Sequence, residues 1–573
     1  MPNAELEQLG ADYWDAFLER NPTQGTVLGD HRYDDRLSDI TPTGRAAAER
    51  RLDDLYVRLA NLDTAALTDE ESLSVLALRH GIGADLTFLE ADELAYTVSP
   101  ANGPQVQFLN LADLQPLRDA GDADAMLARW RAMGGWMDDL IANHRRGQTD
   151  GNFPIAILVE RVVSELGEIL ARPIEDLPLL QPLRRENPPM PPAEWRRFAG
   201  DLEDAVRDGV LPAFRRYRSY LADEALPTAR DQAHAGIANL LGGYERYAAL
   251  AHAHTTTEIE PDGLHAIGQE EIARIDAEIA ELGKRVLGTA SLAATLASLR
   301  SDKSLYFATR DEVIGAAERS LQAALEAIPN WFGRLPVTPC EVVRMLPHEE
   351  AHSTIAYYRE PAADGGRPGR YYVNTSEPQT RPRYEAQALA FHEAVPGHHL
   401  QVAIGQELTA LPTFRRHAEA TAFIEGWGLY SERLGEDAGF FQDRYSMYGH
   451  LQDDLLRAIR LVVDTGFHSK RWTRQQVVDY FHANSGIDEP TVQSETDRYM
   501  AWPAQALGYK IGQLKILELR DRAKKQLGAR FDIRGFHDEV LGGGAMPLDV
   551  LEKRMDGWIA QTSQAGVSAP ALH

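Results

Sequence analysis

The chain has 573 residues, 44% hydrophobic and 25% charged, with 59 Lys and Arg against 86 Asp and Glu, a formal net charge of −27. That length exceeds one ordinary core and calls for two domains or one large helical body with a subdomain. The acidic balance argues against a nucleic-acid footprint or attachment to anionic lipid, and a single cysteine, Cys340, excludes an internal disulfide or a cysteine-based metal site.

Residues 1–19 are acidic and amphipathic and lack the basic start and apolar run of a signal peptide. No stretch approaches the ~20 apolar residues that cross a bilayer, so a cytoplasmic location and no membrane partner are expected. Up to about residue 330 the pattern reads as helix after helix. Ile155, Leu158, Val159, Val162, Val163, Leu166, Ile169 and Leu170 fall at helical spacing behind Pro154. Similar periodicity predicts helices over 45–62, 69–88, 123–144, 194–221 and 270–286. Thr309 with Glu312 reads as a capping box opening a helix that runs to Ala327.

Beyond Pro329 the character changes. Residues 341–346, 353–358 and 370–375 are short runs rich in Val, Ile, Tyr and Thr, the mark of a small sheet. Helical patterning resumes at Tyr384 and persists to Ile559. The expected fold is mainly α. A helical domain covers 1–330 and a second unit 331–573, with the sheet at 340–376 and two helices at 382–407 and 412–434. The divide is a change of secondary-structure type rather than a linker, compatible with one shared body.

The chemistry concentrates in the decapeptide His392-Glu393-Ala394-Val395-Pro396-Gly397-His398-His399-Leu400-Gln401. It is nearly the zinc-peptidase motif HExxH, in which two histidines one helical turn apart hold the metal and the glutamate activates water. Pro396 stands where the second histidine belongs. In an unbroken helix at ~100° per residue, His398 would point about 240° away from His392, and His399 would share its face about 10.5 Å further along. Neither reaches one ion, so the helix must deviate, and Pro396 with Gly397 supplies the means. A two-residue bulge brings His398 into the ligand position; a three-residue bulge brings His399. By contrast His348-Glu349-Glu350-Ala351-His352 matches HExxH by letters, yet sits behind Pro347 between strand-like runs with no helix to hold rigid ligands, and is read as a turn.

Downstream, residues 419–432 form an apolar helical stretch that carries acids, and buried carboxylates are costly unless paired or metal-bound. Glu425, 27 residues beyond His398, is the expected third ligand of a set of two histidines and one glutamate. Glu432, seven further on the same face, is expected behind the ligands.

These stretches, with residues 460–468, 498–512 and 28–39, resemble a large bacterial family described as a domain of unknown function and grouped with the HExxH zinc metallopeptidases, in which HExxPGHHxQ stands in place of HExxH. The resemblance spans nearly the whole chain. Its wider relatives, thermostable carboxypeptidase and angiotensin-converting enzyme, imply a helical body around a deep cleft, a short sheet beside the zinc helix, and cleavage of short peptides.

The expected chemistry is peptide hydrolysis, from the C-terminus or within short peptides, with zinc on His392, His398 (or His399) and Glu425, and Glu393 as general base. Tyr509, then Tyr499, are candidate oxyanion donors. Arg498 or Lys510 is a candidate receptor for a terminal carboxylate. Tyr372 and Asn374 lie on an expected edge strand for an extended peptide, and His468 is placed behind the metal ligands or in the core. The alternatives are a metal-free helical scaffold and a zinc hydrolase of a non-peptide amide. Oligomeric state is not fixed by the sequence.

Overall fold

A computed structural model of the chain describes residues 3–185, 189–347, 349–350, 354–441 and 445–565. It is mainly α-helical with one three-stranded sheet, as the periodicity predicts. The expected helices appear as Pro42–Ala60, Asp69–Ala91, Ala120–Thr149, Ala156–Ala171 and Pro261–Leu287. The stretch expected over 194–221 is interrupted by a π-helical turn at Ala205–Val210. Thr309 caps Arg310–Ala327 by accepting from the Glu312 amide at 3.2 Å, but the Glu312 carboxylate reaches back to the Ala308 amide at 2.8 Å, so the expected box is displaced by one residue.

The elements around the site are α1 (Gly243–Thr255), α2 (Pro261–Leu287), β1 (Cys340–Arg344), β2 (Ala356–Arg359), β3 (Gly369–Val373), α3 (Ala386–Glu393), α4 (His398–Glu407), α5 (Thr421–Asp437), α6 (Ser446–His468), α7 (Glu489–Ala501) and α8 (Gly508–Leu527). The sheet order is β1-β3-β2, with β3 parallel to β1 and antiparallel to β2. Residues 370–375, expected at an edge, therefore belong to the central strand, and both sides of β3 are already paired. The sheet lies against α3 and α4.

Packing crosses the change of character near residue 330. One core joins Leu73, Tyr247 and Leu264 to Phe391, Trp427 and Leu507, and a second joins Ile155 and Ile275 to Leu455, Val462 and Phe481. A third lies wholly within 98–225 around Trp130 and Phe214. The helices α5 and α8 approach so closely that a Cβ on Gly512 would stand 1.7 Å from the Ala422 carbonyl oxygen. The contact falls three residues from Glu425 on α5 and three from Tyr509 on α8. Among the described residues no helix is long and apolar enough to cross a membrane.

Candidate metal centre

The expected bulge within one helix is instead a break between two. Ala394 leaves helical backbone at φ −108°, ψ −100°, Val395–Pro396 is cis, and Gly397 precedes α4 at φ −76°, ψ −129°. Proline has no amide to offer the carbonyl four residues back and its ring clashes with it, so α3 stops. A Cβ on Gly397 would stand 1.9 Å from the His392 carbonyl oxygen, which leaves room for glycine alone. The indole N–H of Trp427 on α5 donates to the Pro396 carbonyl at 2.9 Å and ties the break to the neighbouring helix. As a result His398, the first residue of α4, faces His392, with ring centroids 4.7 Å apart and planes at 86°.

Glu425 Oε2 lies 3.5 Å from Nε2 of His392 and 3.4 Å from Nε2 of His398. The three residues form the one group able to hold a metal ion among the described residues, their ligand atoms all within 4.8 Å of one another. Ligands set tetrahedrally around zinc at roughly 2.0–2.1 Å are ~3.3–3.4 Å apart, so both measured edges match. Glu425 Oε2 is buried without a hydrogen-bond partner, which is costly unless a cation satisfies it. Two imidazoles and one carboxylate are a donor set that zinc accepts.

The surroundings prepare His392 for that role. Its Nδ1 donates to Glu432 Oε1 at 2.8 Å, and Glu432 is fully buried; a proton is thereby held on Nδ1 and Nε2 is the nitrogen turned toward Glu425. Glu432 in turn lies 3.7 Å from Arg457 Nη2 and 3.8 Å from His450 Nδ1. Burial pushes the His392 pKa down, but the carboxylates of Glu425 and Glu432 outweigh it and raise it to about 10. Burial pushes Glu425 up, while the imidazoles of His398 and His392 hold it well below the usual carboxylate range. The cluster demands positive charge between these atoms. A Cβ on Gly428 would stand 2.8 Å from the His392 ring, so the glycine after Trp427 makes space for the ligand.

His399 faces the other way. The Tyr358 hydroxyl donates to its Nδ1 at 3.0 Å and its Nε2 donates to the Thr338 carbonyl at 3.0 Å. Burial pushes it down to about 4. Of the two alternatives, the structure gathers His398 with His392 and Glu425, and His399 anchors α4 to the sheet.

Glu393 ends α3 beside His392 and is 8% exposed. On β3, burial and next to it the Glu393 charge push the Tyr371 phenol well above its ordinary range. The Tyr509 ring is stacked on His392 at 6.0 Å and 18°. Arg498 Nη2 donates to the Tyr509 hydroxyl at 3.1 Å, and the Arg460 guanidinium sits 4.5 Å from the ring centroid.

Other expected residues are engaged elsewhere. Tyr499 is fully buried, donates its hydroxyl to Glu495 and accepts from Arg460 Nε at 2.9 Å, so it offers no donor to the centre. Lys510 is fully buried, pairs with Asp454 and donates to Gln513 at 2.8 Å, an internal ion pair rather than a receptor for a terminal carboxylate. Tyr372 bonds Asp113 at 3.3 Å and stacks on Tyr357. Asn374 holds a turn through the carbonyls of Glu350 and Thr354 at 2.8 and 3.2 Å. His468 is a core residue: it accepts from the Ile237 amide at 3.1 Å and donates to the Tyr499 carbonyl at 2.9 Å, away from the metal ligands. In the letter-perfect His348–His352 stretch, His348, Ala351 and His352 lie outside the described residues; Glu349 is engaged by the Leu346 amide and Tyr357, and Glu350 by Arg310 and Thr375.

Sequence reasoning missed Tyr358, Arg457 and Arg460, whose partners are 39 to 41 residues distant or on other helices. Trp427 alone carried a local signal, the glycines on either side of it.

Fold and site together define a mainly helical protein with a small mixed sheet and a buried two-histidine, one-glutamate cluster suited to a metal. Residues 22–555 match the family described as "Bacterial protein of unknown function (DUF885)", and the chain belongs to that family. The chain is similar to a "putative lipoprotein" from Colwellia psychrerythraea, at 26% identity and TM-score 0.91 over 97% of this chain and 99% of that one. It also shares its fold with a "putative lipoprotein of unknown function" from Shewanella oneidensis, at 17% identity and TM-score 0.73 over 96% and 100% of the two chains. No curated protein matches the sequence. These neighbours contradict the cytoplasmic location expected from the amino terminus, since each is described as a "putative lipoprotein".

Proposed function

We propose that the chain is a zinc-dependent peptidase acting on short peptides. The observation that carries this reading is the convergence of His392, His398 and Glu425, with a further buried acid, Glu393, next to His392 in the chain. A purely structural metal site needs no such base. The resemblance of HExxPGHHxQ to the HExxH metallopeptidase motif supports the same chemistry.

His392, His398 and Glu425 are the residues that would hold the metal, which when bound supplies Lewis acidity that acidifies water and polarises a carbonyl. Glu393 takes the water's proton on its carboxylate and delivers it to the leaving amine. Arg498 already donates to the Tyr509 oxygen, so the phenolic proton is free to be given to the oxyanion that develops on the substrate. Glu432 keeps the His392 proton on Nδ1 throughout.

The test is metal content of the purified protein together with cleavage of a mixed short-peptide library by wild type and Glu393→Gln. Stoichiometric zinc in both, with cleavage lost in the variant, supports the reading. Absence of bound metal, or equal cleavage by both proteins, removes it.

A further inference from the structure

A small cavity of about 30 Å³ lies at the amino-terminal end of α3, and its walls carry more negative charge than their partners neutralise. Glu385, Asp453 and Asp488 line it, with Arg381 as the one cation among its lining residues and Gln452 and Thr491 as neutral polar groups. Glu385 precedes α3, seven residues and two turns before His392, on the same face and ~10.5 Å along the axis. Asp453 on α6 is joined to the centre by a short chain of charges: its Oδ1 accepts from Arg457 at 2.8 Å, and Arg457 lies 3.7 Å from Glu432, which holds His392.

The second carboxylate oxygen of Asp453 has no partner. Oδ2 is buried without a hydrogen bond in a residue that is 5% exposed and lines the cavity. Glu385 receives one hydrogen bond, from Gln452 at 2.6 Å, and Asp488 is occupied in capping α7 through the amide and hydroxyl of Thr491. Burial, and next to it the charges of Asp453 and Asp488, push the Glu385 carboxyl well above its ordinary range. A carboxyl in this setting escapes the cost of burial either by keeping its proton or by taking a cationic guest, whose charge would draw the proton off.

A divalent ion does not suit the cavity. Its carboxylates do not converge to ligand distance, since the only such group among the described residues is the one at His392, His398 and Glu425. A primary ammonium does suit it: three N–H donors reach acceptors spread around a wall, and charge-assisted bonds to carboxylate are the strong ones. The ~10.5 Å separating Glu385 from His392 equals about three residues of extended chain.

We propose that this cavity is a subsite for the ammonium group of the substrate peptide, either its free amino terminus or a lysine side chain, about three residues from the bond at the metal centre. The assignment rests on the peptidase reading for what the ligand is, but its binding can be tested without cleavage.

The experiment uses four alanine pentapeptides: free amino terminus, acetylated amino terminus, and two acetylated forms carrying one lysine or one norleucine at the same position. Affinity is measured calorimetrically on zinc-loaded Glu393→Gln protein, and KM on wild type, each with and without Glu385→Gln; Asp453→Asn serves as a second variant. Loss of the ammonium, in whichever pair is the true source, should weaken binding roughly ten- to hundredfold, and Glu385→Gln should remove most of that difference. The pair that responds identifies the source as amino terminus or lysine. Discrimination by binding with no cleavage by wild type upholds the subsite and retires the peptidase. Cleavage with equal affinity for charged and uncharged peptides overturns the subsite and leaves the peptidase standing, and failure of every peptide to bind overturns the subsite as well.

Discussion

Nδ1 of His392 donates to the fully buried Glu432 at 2.8 Å while the opposite nitrogen faces Glu425 at 3.5 Å. One imidazole therefore bridges a positioning carboxylate and a ligating one. Replacing Glu432 by Gln retains the shape but removes the charge that fixes the tautomer. Zinc affinity should fall about 10- to 100-fold, read by competition with a chromophoric chelator, while the far-ultraviolet circular dichroism stays helical. Unchanged affinity would show that Glu432 serves packing alone.

The adjacent histidines should separate cleanly. His398→Ala removes a ligand and should abolish stoichiometric zinc. His399→Ala should keep the metal but lose the bonds to Tyr358 and Thr338, at about 1–3 kcal/mol of stability. Chelator treatment of wild type and of His399→Ala should lower the melting temperature, because a ligand bound only by the native state stabilises it; His398→Ala should not respond. The reverse pattern would transfer the ligand role to His399.

These two residues also mark how far the sequence could be read. His392 and Glu393 were legible because neighbours in sequence are neighbours in a helix, and Glu425 because an acid on an apolar face requires a partner. The choice between His398 and His399 depended on the backbone path through Ala394–Gly397, where a helix end with a new start, rather than a bulge, aims the ring. Tyr499 and Lys510 were misplaced for a related reason. They are eleven residues apart, close to three turns of one helix, but the chain turns between Ala501 and Gly508, so Tyr499 and Lys510 stand on different helices. The long amphipathic helices were legible from local periodicity. The central position of β3 was not, because strand order is set by contacts between segments that no local pattern records.

Gly428→Ala tests whether backbone space at α5 is part of the site. The added methyl would stand 2.8 Å from the His392 ring, and a buried ring with Glu432 and Tyr509 on either side has little freedom to retreat. Overpacking of this kind costs about 1–3 kcal/mol. The expected result is loss of zinc and a lowered melting temperature, although no ligand has been altered. Full zinc occupancy at wild-type affinity would mean that the ring yields.

Tyr509→Phe isolates the hydroxyl. The ring contact with His392 survives, so zinc should remain stoichiometric, and kcat on a short peptide should fall about 10²- to 10³-fold with KM little changed. A fall in KM-dependent binding with kcat intact would instead assign Tyr509 to holding the substrate.

His468 gives a prediction about pH. Burial pushes its pKa down to about 3, because it is fully enclosed and its two nitrogens are committed to the Ile237 amide and the Tyr499 carbonyl. The folded protein thus keeps it neutral where the unfolded chain, at about 6.5, takes up a proton. The unfolded state binds more protons, so stability rises with pH across that interval: the contribution is fully present above pH ~6.5 and is lost as pH falls toward ~3, by about 1.4 kcal/mol per pH unit. His468→Gln offers the same acceptor and donor without a titrating group. Urea unfolding from pH 7.5 down to 5 should show a shallower decline in the variant by about that slope per unit, and parallel declines in the two proteins would show that His468 is not among the groups driving acid unfolding.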